Sequence, residues 1–106
     1  MHQEINYAKL GLRIKELRLN KGLTQEALAE MICCNVSHIS NIENNHTKLS
    51  LNVLLAIANS LHTTIDFLLC EQYENVSLAL DNELLRVIKD LDNEKKEKLL
   101  KLIEIL

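Results

Sequence analysis

The chain has 106 residues, enough for one domain and a small appendix. Apolar residues make up 47% and charged residues 25%, which excludes an intrinsically disordered chain. The formal net charge of −3 excludes a uniformly basic polymer binder, but the charge is uneven. Residues 1–70 hold six Lys/Arg and six Asp/Glu, whereas residues 71–106 hold six and nine, so the acidic excess lies in the last third.

Proline is absent, glycine occurs twice, and neither an Asn-Gly turn nor a run of alternating β-branched residues appears. An all-α fold is expected. No apolar stretch is long enough for a bilayer, and the polar start, Met1-His2-Gln3-Glu4, does not resemble a signal peptide. Three cysteines at no framework spacing suit a reducing compartment, so a cytoplasmic location is expected.

Residues 1–6 read as a short flexible lead. From Tyr7 to Lys21 the pattern is helical, with Leu10, Ile14 and Leu17 on one face. Gly22 ends that helix, because glycine takes a left-handed conformation at little cost. Thr24 is a good N-cap for a second helix carrying Leu28, Ala29 and Ile32, with Glu26 in its first turn. Only Cys33 and Cys34 then remain to reverse the chain before Asn35, another good N-cap. Ile39 and Ile42 repeat behind it in a third helix, from Val36 to about Asn44. Two helices joined this tightly cross steeply, which is helix-turn-helix geometry.

Leu23-Thr24-Gln25-Glu26, Leu28-Ala29-Glu30 and Ile39-Ser40-x-Ile42-Glu43-Asn44 together resemble the Cro/cI-type (XRE-like) helix-turn-helix family of bacterial and phage transcription regulators. With its flanking helices the resemblance covers roughly residues 7–70. It implies that the second helix lies across the DNA backbone while the third enters the major groove. It also implies an ion pair between Arg18 and Glu43 that sets the angle of the third helix.

By motif position, Val36, Ser37, His38 and Asn41 match the family's base- and backbone-contacting sites. Asparagine can bond adenine bidentately, serine can serve either role, and valine can meet a thymine methyl. No arginine stands among them, so an A·T-rich half-site is expected. Thr24, Gln25 and Asn35 are further candidates, Gln25 because a side-chain amide and backbone N–H groups can both meet a phosphate. In the loop after the third helix, Asn44, Thr47 and Lys48 are candidate phosphate contacts. Cys33, Asn45 and His62 stand where the family usually has glycine. A metal site through Cys33, Cys34 and His38 is not expected, because adjacent cysteines make a poor chelate.

Ser50 caps a fourth helix with Leu51, Leu54, Ile57, Ala58 and Leu61 as its core positions, and Thr64 caps a short fifth with Ile65, Phe67 and Leu68. The expected fold is a five-helix lambda-repressor-like DNA-binding domain over residues 1–70 with a C-terminal two-helix extension over residues 71–106. Asp81 to Leu91 is amphipathic, with Leu84, Val87, Ile88 and Leu91 on a stripe. Asp92 caps a second tail helix carrying Leu99, Leu102, Ile103 and Leu106. Two helices this short cannot cover both stripes alone, so they pair with a second copy or pack on the head; a dimerisation hairpin is the expectation.

The chain therefore reads as a sequence-specific regulator of transcription, a repressor that binds double-stranded DNA as a homodimer. The alternative is a protein-interaction module, an antitoxin or anti-regulator acting through its C-terminal helices. Neither an enzyme nor a cofactor is expected, because no activated nucleophile, glycine-rich phosphate loop or metal-spaced cluster occurs.

Overall fold

Capping side chains set where the helices begin. In the computed structural model, which describes residues 4–106, α1 spans Tyr7–Asn20, α2 Gln25–Met31, α3 Val36–Glu43, α4 Leu51–Ser60 and α5 Ile65–Leu68. A 3-10 turn over Cys70–Gln72 leads to α6, Val76–Lys89, and α7, Asn93–Glu104. The described residues contain no strand, so the expected all-α architecture is what the chain adopts. Thr24, Ser50, Thr64 and Asp92 each accept a bond from the backbone N–H three residues on, at 2.8–3.1 Å. Asn35 has the extended backbone of an N-cap, but its side chain makes no capping bond.

The first four helices end alike. Gly22, Cys33, Asn45 and His62 have φ of 70°, 57°, 60° and 53°. After each, the next N–H reaches back five residues: Leu23 to Arg18, Cys34 to Ala29, His46 to Asn41 and Thr63 to Ala58, at 2.8–3.0 Å. These left-handed terminations satisfy carbonyls that would otherwise be orphaned. Only the first carries a glycine, so three of the turns hold their shape against a steric penalty.

The core of the head is built from Leu10 and Ile14 of α1, Leu28 and Ala29 of α2, Ile39 and Ile42 of α3, Leu54, Ile57 and Ala58 of α4, Leu61, and Leu68 of α5. Each large member, fully removed from water, contributes about 1.5–3 kcal/mol. Cys34 is half-buried against this cluster. Gly11 allows α1 to lie against the backbone of α3: a methyl carbon built there would sit 2.4 Å from the Ile42 carbonyl oxygen.

The tail departs from its expected start. The first tail helix begins at Val76 rather than Asp81. Asn75 Oδ1 accepts from Leu78 N–H at 3.0 Å, and Ala79 is buried where α6 packs on α5 and the 3-10 turn. That tertiary seat stabilises a first turn too short to show its own periodicity. The lead expected over residues 1–6 lies partly outside the described residues; within it, Asn6 caps α1 through Lys9 N–H at 3.1 Å.

Candidate nucleic-acid interface

One buried ion pair holds the helix-turn-helix unit to α1. Arg18 Nε donates to Glu43 Oε2 at 2.7 Å and its NH2 group donates to Oε1 at 3.0 Å, a bidentate fork with both residues almost fully buried. The remaining NH1 group donates to the Leu23 carbonyl at 2.8 Å, in the connection between α1 and α2. The bond that Arg18 donates to Glu43 raises the Arg18 pKa further, against the opposing effect of burial.

Gln25 joins the same network. Its Nε2 donates to Glu43 Oε1 at 3.0 Å, tying the start of α2 to the end of α3. That bond uses one of two amide hydrogens and leaves the other able to meet a phosphate. Nothing in the residue types foretold this link, because α2 and α3 positions 18 apart in sequence meet only once the turn is closed.

With Ile39, Ile42 and Glu43 buried, the opposite face of α3 is set. Val36, Ser37 and Asn41 are exposed on it, His38 and Ser40 are half-buried, and Asn35 is exposed just before it. Thr24 is exposed at the start of α2, and Gln25 is half-buried. In the following loop the Asn44 side chain is already engaged, donating to Ser40 Oγ at 3.3 Å. Lys48 is exposed and places its ammonium over the Tyr7 ring, 5.6 Å from the centroid, while Thr47 is half-buried. A phosphate contact by Lys48 therefore competes with this cation–π contact.

Three free thiols are present: Cys33 is exposed, Cys34 half-buried and Cys70 buried. Burial, and then the neighbouring Cys33, raises the Cys34 pKa and so disfavours its thiolate. Among the described residues no group of three or more His, Cys, Asp or Glu side chains is arranged to hold a metal ion. No helix among them is long and apolar enough to cross a membrane.

The tail is left uncovered. Leu84, Val87, Leu102 and Ile103 are 44–58% exposed, and no side chain of α7 is fully buried. Leu106 is exposed, whereas Ile88, Leu91 and Leu99 are half-buried; α6 and α7 do not pack along each other as the expected hairpin would. The stripe thus lacks cover from its own head.

A steep two-helix unit with one outward polar face, braced from behind by a third helix, defines a helix-turn-helix DNA-binding domain. The chain matches the helix-turn-helix family over residues 14–68, more than half its length, and belongs to that family, in its XRE branch. It is 32% identical over 66 residues to a propionyl-CoA carboxylase regulator of Cereibacter sphaeroides. The match takes in 62% of this chain and 14% of that regulator, so the likeness concerns one part of a much longer protein.

Two solved structures are similar as well. The restriction-modification controller protein C.AhdI from Aeromonas hydrophila superposes with a TM-score of 0.58 at 32% identity, over 61% of this chain and 98% of that one. A chain of the SinR protein/SinI protein complex superposes with a TM-score of 0.59 at 25% identity, over 90% of this chain and 94% of that one. The second likeness runs past the head into the tail helices.

Proposed function

We propose that this chain binds double-stranded DNA sequence-specifically as a homodimer, and that it represses transcription by occupying a promoter. The observation that carries this reading is the braced α3. Its buried side is locked by the Arg18–Glu43–Gln25 network, and Val36, Ser37 and Asn41 stand outward on the free side. A recognition helix must be rigid in just this sense, because base contacts discriminate only if their donors and acceptors arrive at fixed positions. His38 and Asn35 border that face, and Thr24, Gln25, Asn44, Thr47 and Lys48 flank it as backbone-positioning contacts. The named relatives and solved neighbours that are regulators or controllers support the same reading.

Two observations support dimerisation. The head carries equal numbers of basic and acidic residues, so a single head gains little from phosphate charge. Leu84 and Val87 on α6, and Leu102, Ile103 and Leu106 at the end of the chain, are exposed apolar side chains that a second copy can cover about a twofold axis. Two heads then address two half-sites, about one helical turn apart. Repression needs nothing more than this, since a seated dimer obstructs whatever else would bind the promoter.

The same side chains support a second reading, in which a different protein caps the tail; one of the similar structures is itself a complex of two proteins. Binding-site selection from random duplex DNA, followed by salt titration of the best site, separates the two. An enriched palindrome with steeply salt-dependent affinity is expected. Folded, dimeric protein that enriches no sequence would favour the interaction module.

A further inference from the structure

Three successive residues between the head and α6 are each bonded to a different part of the head. Glu71 Oε1 lies 2.5 Å from the Arg13 NH2 group of α1, and that guanidinium also stands over the Phe67 ring of α5, 4.9 Å from its centroid. Gln72 meets the backbone of Asn6 at both ends of its amide: Asn6 N–H donates to Oε1 at 2.6 Å, and Nε2 donates to Asn6 O at 3.2 Å. Tyr73 Oη donates to Asp66 Oδ1 of α5 at 2.5 Å. Only Glu74 and the capping Asn75 then precede α6, whose Ala79 is already buried against the head.

These links lie near the surface, where each is worth on the order of 1 kcal/mol or less. Stability therefore explains them poorly. Direction explains them better, since bonds to α1, its N-cap and α5 hold the base of the tail against the head from three sides. We infer that residues 71–73 form a clamp that fixes the angle between head and tail and thereby sets the half-site spacing the dimer accepts. The inference rests on the dimeric DNA-binding reading given above.

The lever arm gives the scale. With 14 residues, α6 is about 21 Å long at 1.5 Å per residue. A swing of about 10° at its base moves its far end by about 4 Å, close to one base-pair step of roughly 3.4 Å. One such step also turns a half-site by about 35° around the duplex axis. A clamp that holds the angle more tightly than this confines the dimer to one spacing, whereas a flexible joint of the same length tolerates several.

The test uses the full chain and duplexes that carry two selected half-sites separated by spacers of graded length. The variants are Glu71→Ala/Gln72→Ala/Tyr73→Phe, which leaves the reading face and the Ala79 seat untouched, and a Gly-Ser-Gly-Ser insertion between Glu74 and Asn75. The native chain is expected to prefer one spacing by tenfold or more over its neighbours. The triple variant is expected to remain dimeric, to keep the half-site sequence and to lose most of that preference. If it unfolds, Gln72→Ala and Tyr73→Phe alone give the same readout. A triple variant, or a pair of single variants, as selective for spacing as the native chain overturns the clamp. So does a broad profile confined to the insertion, which would assign the angle to the Ala79 seat. A native chain that binds single half-sites only, or as a monomer, would instead remove the dimer reading and the clamp with it.

Discussion

Replacing Gly11 with alanine separates local propensity from tertiary packing. On propensity alone, alanine in the interior of a 14-residue helix is favoured over glycine by about 1 kcal/mol. The added methyl carbon, however, would lie 2.4 Å from the Ile42 carbonyl oxygen, 3.0 Å from that of Glu43 and 3.2 Å from the Glu43 carbonyl carbon. These are backbone atoms of α3, so no side-chain rotation clears them. Reaching ordinary contact requires α1 and α3 to part by about 1 Å, which would carry the 2.7 Å bond from Arg18 to Glu43 beyond hydrogen-bond range. Overpacking costs about 1–3 kcal/mol, and a rigid obstacle places this site at the upper end. Set against the propensity gain, the net loss is about 2 kcal/mol, a fall in Tm of about 8–16 °C for a domain of this size. Thermal unfolding followed by circular dichroism reads this directly, and affinity for the selected site should fall as α3 shifts. A Gly11→Ala chain as stable as the native one, or more stable, would refute the close approach.

Glu43→Ala leaves Arg18 buried without its partner and should cost about 3–5 kcal/mol in urea unfolding; a loss below about 1 kcal/mol would contradict a structural role for the pair. Cys33→Gly and His62→Gly each relieve a left-handed residue and should stabilise by about 0.5–1 kcal/mol, since glycine's greater unfolded-state freedom offsets part of the gain. Asn41→Ala should cost about 1–3 kcal/mol at the best site and relax its base preference, and unchanged preference would exclude α3 as the reader. Deleting Asp92–Leu106 removes a helix with no fully buried side chain, so a folded, monomeric head should remain. Sedimentation of the shortened chain as a dimer would move the interface elsewhere.

Much of the head is legible in the residues alone. Thr24, Ser50, Thr64 and Asp92 announce helix starts because short oxygen-bearing side chains close the first turn locally. The spacing of Leu10 and Ile14, and of Ile39 and Ile42, identifies buried faces because a helix repeats every 3.6 residues. The glycine-like role of Cys33, Asn45 and His62 is readable only beside the family pattern. Residue type alone does not reveal that a cysteine or histidine will be held at positive φ.

Other features depend on contacts between distant segments, which no local pattern encodes. The start of α6 at Val76 combines a local cap, Asn75, with the seat of Ala79 on α5 and the 3-10 turn, and only the second needs the folded head. The bond from Gln25 to Glu43, the approach of Gly11 to Ile42 and the clamp at residues 71–73 join positions 18, 31 and up to 66 residues apart. Local sequence determines which helices form and which of their faces are apolar, because propensity, capping and periodicity act within a few residues. Tertiary structure alone decides how closely the helices approach and at what angle they are held, because those are set by the shape of backbone against backbone.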